Sequence, residues 1–129
     1  MLFIANGTLY PMAEGMPEKI ENGSIAVQDG KILKIGNGFT YEDICRDYGR
    51  TEQEKKADTY IDAGGNWVMP GIIEAHCHMG ITEEKKGMEG DDCNETVHPI
   101  TPHLRAIDAI NSMDAAVDDA LRAGITSAM

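Results

Sequence analysis

Two histidines one residue apart, His76 and His78, lie in the stretch Val68 to Gly80, which constrains this chain more than any other. The stretch reads VMPGIIEAHCHMG: an apolar entry, a Pro-Gly turn, and a short strand predicted over Ile72 to Cys77. Alternate side chains of a strand share a face, so both imidazoles are expected on one side, within reach of one ion. Neutral imidazole binds zinc and related divalent metals at ~2.0–2.1 Å. Two surface histidines on a strand would give the same pattern, and the spacing alone does not separate the two readings. Cys77 falls on the opposite face, where packing is its expected role.

The neighbours sharpen this. Ile72 and Ile73 put apolar side chains on both faces, as in the strands of a parallel α/β barrel. Histidines at the carboxyl end of such a strand stand where barrel enzymes carry their chemistry. The string PGIIEAHCH resembles the Pro-Gly-x-Ile-Asp-x-His-x-His signature of the amidohydrolase superfamily, which includes imidazolonepropionase, dihydroorotase and metal-dependent dipeptidases. Glu74 stands where that family usually has Asp, and both histidine positions are intact.

Composition bounds the partners. Eleven basic residues against 22 acidic ones give a net charge of −11. Nucleic acid and anionic membrane surfaces both need a positive footprint, so neither is expected as a partner. No apolar run approaches the ~20 residues of a membrane span. The opening MLFIANGTLYP lacks the basic region and cleavage site of a secretory signal. Cys45, Cys77 and Cys93 are odd in number and irregular in spacing, which argues against a disulfide framework and for a reducing, cytoplasmic setting.

Residues 1–70 read as a small antiparallel sheet. Asn6-Gly7 inside the apolar run Leu2 to Leu9 favours a hairpin or a bulge. Ser24 to Val27 and Ile32 to Ile35 flank Asp29-Gly30, a strong hairpin signal. Tyr60 to Ala63 and Asn66 to Met69 flank Gly64-Gly65 in the same manner. Between Phe39 and Thr59, Thr40 and Thr51 each qualify as the N-cap of a short helix with acidic residues in its first turn. A solvated insertion is the expectation for this segment.

Residues 71–129 change texture. Gly80 to Pro102 is loop-like, with a Glu-Glu-Lys-Lys run and the acids Glu89, Asp91, Asp92 and Glu95. A structureless loop this long is usually functional or disordered. Beyond it, ITPHLRAIDAIN resembles a segment after the first strand in imidazolonepropionase-like and dipeptidase-like members. Arg105 has the planar fork suited to a substrate carboxylate, with His103 beside it, while pairing of Arg105 with Asp108 or a loop acid is an equal expectation. His98 and His103 are weaker candidates for a third metal ligand. A helix is predicted from Ser112 as N-cap to Gly124, burying Met113, Ala116, Val117, Ala120 and Leu121. Ile125 to Met129 then begins a second strand, completing a β-α-β unit.

The resemblance implies a fold and a chemistry. The fold is α/β with a leading all-β part: strands of an amidohydrolase β-sandwich, then the first β-α-β unit of an incomplete (β/α)8 TIM barrel. A complete barrel takes ~250 residues, so the chain is expected to be the front third of a longer enzyme and inactive alone. That enzyme would hydrolyse carbon–nitrogen bonds of small amide, cyclic-amide or dipeptide-like substrates with a metal-activated water. The resemblance also implies one or two divalent ions, zinc foremost, with His76 and His78 as ligands and no catalytic residue within this chain. The alternative is a stand-alone metal-binding or strand-exchanging module that forms homo-oligomers without catalysis.

Overall fold

The structure, a computed structural model, describes residues 1–84 and 86–129; Lys85, in the Glu-Glu-Lys-Lys run of the long loop, lies outside the described residues. The chain is mixed α/β with strands leading. It divides into two compact units, Met1–Pro70 and Gly71–Met129. Among the described residues, no helix is long and apolar enough to cross a membrane.

The first unit is built on strand β1 (Leu2–Leu9). Strands β2 (Ile20–Gln28) and β3 (Lys31–Gly36) form a hairpin, and β2 runs antiparallel to β1. The hairpin turn is Asp29-Gly30, with φ of 51° and 73°; two successive positive φ angles are what a two-residue type I′ loop requires. Asn6, at φ 56°, marks a bulge in β1, where the register against β2 shifts between Ile4 and Gly7. The extra residue inverts the alternation of faces. Phe3 and Ala5 therefore pack in one cluster with Ala26, Phe39 and Ile44, while Leu9 joins Ile4, Ile20 and Ile25 in the other. Phe3, Leu9 and Ile44 are the largest fully buried side chains, each contributing about 1.5–3 kcal/mol by removal from water. Gly23 is needed where β2 passes Leu9, since a Cβ there would collide with the fully buried Leu9 side chain.

Two expectations are corrected in this unit. Strands β4 (Thr59–Asp62) and β5 (Trp67–Val68) do not form a hairpin with each other; both pair with β1 in parallel, so the sheet is mixed. The cause is the crossover of two helices that precedes β4, because a parallel partner needs such a connection. Those helices, α1 (Tyr41–Asp47) and α2 (Glu52–Lys56), each start with a capping box on Thr40 or Thr51. Helix α1 is no solvated insertion: it buries Ile44 and Cys45, and Phe39, just before it, meets Phe3 edge-on at 6.0 Å. Helix α2 buries nothing.

A buried ionic cluster fastens the crossover. Asp58 accepts from the Met1 α-ammonium at 2.8 Å, from Tyr41 Oη at 2.9 Å and from Arg50 Nη2. Its side chain is 3% exposed and that of Arg50 is 8% exposed. Burial raises the Asp58 carboxyl, the three donors lower it, and the net effect is below its ordinary value. Burial pushes the Tyr41 phenol well up.

In the second unit, β6 (Ile72–Glu74) and β7 (Ile125–Ala128) form a two-stranded parallel sheet joined through helix α3 (Ala115–Arg122). The helix cap is Asp114, not Ser112, and Asp114 is buried. Of the predicted apolar stripe, Ala116, Val117 and Ala120 are half-buried, whereas Met113 and Leu121 are exposed. Among the described residues of this unit no hydrophobic side chain is fully buried.

Candidate metal centre

Strand β6 ends at Glu74, three residues short of the predicted Cys77, so His76 and His78 sit in the turn beyond it. The reason is local. Glu74 Oε1 accepts the His76 backbone N–H at 3.1 Å, withdrawing it from the ladder and bending the chain. Cys77 accordingly lies half-buried in the turn and not on a strand face.

The two rings still fall together. Their centroids are 5.2 Å apart at a tilt of 54°, and both side chains are exposed. Two imidazoles bound at ~2.0–2.1 Å to one tetrahedral ion would have centroids about 5 Å apart, close to the separation seen here. His78 is anchored by its carbonyl, which accepts from Ile81 N–H at 3.0 Å and Thr82 N–H at 2.8 Å.

Behind this turn, Asp114 accepts from the N–H of Gly80 at 3.2 Å and of Glu84 at 3.2 Å, besides capping α3 through Ala116. Asn111 N–H donates to the Gly80 carbonyl at 2.8 Å. The His turn is thus held to the helix start by backbone groups and one buried carboxylate.

The other candidates are placed as follows. Arg105 donates from Nε and Nη2 to both oxygens of Asp108, at 3.1 and 2.9 Å, so its fork is already filled. His98 and His103 are exposed. Glu95 is held by the N–H groups of Val97 and His98, which lower its carboxyl. A depression of about 610 Å³ is lined by Asp92, Cys93, Glu95, Thr101, Leu104 and Arg105 among others. Among the described residues, no three His, Cys, Asp or Glu side chains already converge as a metal cage. Sequence reasoning missed Cys93, whose Sγ lies 3.5 Å from His78 Nδ1 across a loop that no spacing rule predicts. It also missed Asp114 as the cap, although an Asp at that point is itself a cap signal.

No protein-family model matches the chain. It is 33% identical over 75 residues to an imidazolonepropionase of Hyphomonas neptunium, covering 57% of this chain and 17% of that protein. It is 27% identical over 128 residues to a 5-methylthioadenosine/S-adenosylhomocysteine deaminase of Bacillus cereus, covering 95% of this chain and 26% of the relative. The crystal structure of an amidohydrolase from Thermotoga maritima superposes on all of it with a TM-score of 0.76 at 29% identity, the match spanning 29% of that chain. The chain thus spans about a quarter or less of the curated relatives it matches here. By these likenesses in sequence and fold, the chain belongs to the amidohydrolase superfamily, of which it spans an N-terminal portion.

Proposed function

We propose that this chain provides the leading sheet, the first barrel strand and two metal ligands of an amidohydrolase that hydrolyses carbon–nitrogen bonds in small amide-type substrates. One observation carries the proposal: His76 and His78 stand together at the carboxyl end of a parallel strand. Here β6, α3 and β7 are read as the first β-α-β unit of a TIM barrel, and Met1–Pro70 as part of a β-sandwich. The three free thiols support a cytoplasmic setting.

A divalent ion, zinc in this proposal, would supply Lewis-acid polarisation of the scissile carbonyl and a more acidic water. The chain's own part is to hold that ion. Glu74 sets the bend that presents His76, while Gly80 and Asp114 brace the turn behind His78. Arg105 and His103 are the proposed contacts for a substrate carboxylate, and Arg105 would exchange Asp108 for it. Hydrolysis must also protonate the leaving nitrogen. That step is assigned to residues outside this chain, and the chain alone is proposed to bind metal without turnover. Elemental analysis after zinc loading, with a hydrolase screen on simple amides and dipeptides, tests this. Metal near one per chain without turnover supports it; turnover, or no metal, contradicts it.

A second reading draws on a separate observation. Ile72 and Ile73 on β6 are 45% and 74% exposed, in a sheet that has two strands among the described residues. Such an edge favours strand exchange between copies. Size-exclusion chromatography decides: a dimer lost on I73K supports it, and a clean monomer removes it.

A further inference from the structure

Asn-Gly pairs stand at Asn6-Gly7, Asn22-Gly23 and Asn37-Gly38, all in the first unit. An asparagine before glycine is open to attack by its own backbone, because glycine has no side chain to screen its nitrogen and turns freely. The fold treats these pairs differently. Gly7 and Gly23 oppose each other in the β1–β2 ladder, and both are buried. Side chains fill the space beside them: Val68 and Leu9 at Gly7, Leu9 and Ile20 at Gly23. Asn6 and Asn22 are fixed at φ 56° and 48°, and the Asn6 amide donates to Asp62 Oδ1 at 3.0 Å.

Asn37-Gly38 stands clear of the ladder. Strand β3 ends at Gly36, and Asn37 and Gly38 are both exposed in the bend before Phe39. Gly36 and Gly38, on either side of Asn37, have φ of 148° and 76°, with open space where a Cβ would stand. Among the described residues, no backbone carbonyl accepts the Gly38 N–H. We propose that Asn37 is a deamidation site, converted to aspartate and isoaspartate well ahead of Asn6 and Asn22. The Gly38 nitrogen loses its proton to solvent and bonds to the Asn37 side-chain carbonyl carbon. The bond from that carbon to the side-chain nitrogen breaks, and the nitrogen takes a proton from solvent and leaves as ammonia. Water then opens the resulting succinimide: attack at the side-chain carbonyl gives aspartate, and attack at the main-chain carbonyl gives isoaspartate. Either product adds a negative charge. Isoaspartate also adds a methylene to the main chain between Gly36 and Phe39, whose ring packs against Phe3.

Trypsin separates the three pairs into residues 1–19, 20–31 and 35–46, so each is read by itself. The folded full chain is held at mildly alkaline pH beside the same chain in urea, and mass spectrometry follows the amide-to-acid mass gain of each peptide. In urea the three pairs should convert at comparable rates. In the folded chain Asn37 should convert at least roughly tenfold faster than Asn6 and Asn22, which must first leave the ladder. N37Q should abolish the fast conversion in residues 35–46, since the longer side chain closes its ring far more slowly. Comparable rates at all three pairs in the folded chain would overturn the proposal. So would an Asn37 that converts in urea but not in the folded chain.

Discussion

Asp114 accepts the backbone N–H of Gly80 at 3.2 Å, so one buried carboxylate joins the turn that follows His78 to the first residues of helix α3. The same side chain caps α3 through Ala116 and holds Glu84, three donors in all. Its removal leaves the buried Gly80 amide without an acceptor, at a cost of about 1–3 kcal/mol. D114A should therefore speed hydrogen exchange at Gly80 and Glu84 by roughly tenfold or more. Unchanged exchange at both amides would show that the turn is held by other means.

Asp58 is the corresponding tie in the first unit. Its carboxyl is held below the ordinary value of 3.8 by the Met1 α-ammonium, Tyr41 and Arg50 acting against burial. A depressed carboxylate contributes stability that is complete above the unfolded value and is lost as pH falls through the folded one. Urea midpoints of the wild type should therefore drop as the pH falls below about 4, where an unfolded Asp titrates. D58N leaves the buried Arg50 only its longer contact to the half-exposed Glu54, at 3.7 Å, so it should cost about 3 kcal/mol at pH 7. It should also flatten the acid limb. An unaltered acid limb in D58N would assign the pH dependence to other carboxylates.

The two units should differ in local stability. Met1–Pro70 holds both hydrophobic clusters, whereas the described part of Gly71–Met129 buries only Gly80, Gly90 and Asp114. Opening free energy follows buried apolar contact. Amides of the β1–β2 ladder should exchange at least roughly tenfold more slowly than those of β6 and β7. Equal protection in the two units would contradict this.

Legibility in the sequence followed the range of the interaction. The Asp29-Gly30 hairpin and the caps at Thr40 and Thr51 are decided within four residues, and each was readable. The parallel pairing of β4 with β1 joins Leu2 to Thr59, and no turn signal near either residue encodes it. Ser112 and Asp114 are both competent caps; the choice falls to Asp114 because it alone reaches the Gly80 and Glu84 amides, 34 and 30 residues away. The histidine pair was legible from its spacing. Its departure from the strand was not, because Glu74 captures the His76 N–H through a side chain where an aspartate is usual in the family. Cys93 was hidden by the loop that carries it back over 15 residues to His78.

The central claim is that His76 and His78 hold a divalent ion, and zinc uptake by the full chain measured beside the H76A/H78A variant addresses it most directly. Equilibrium dialysis at neutral pH, with circular dichroism to show that both proteins keep their sheet, should give close to one zinc per wild-type chain and none bound by the variant. Equal zinc content in the two, or a wild-type chain that retains none, would contradict the account.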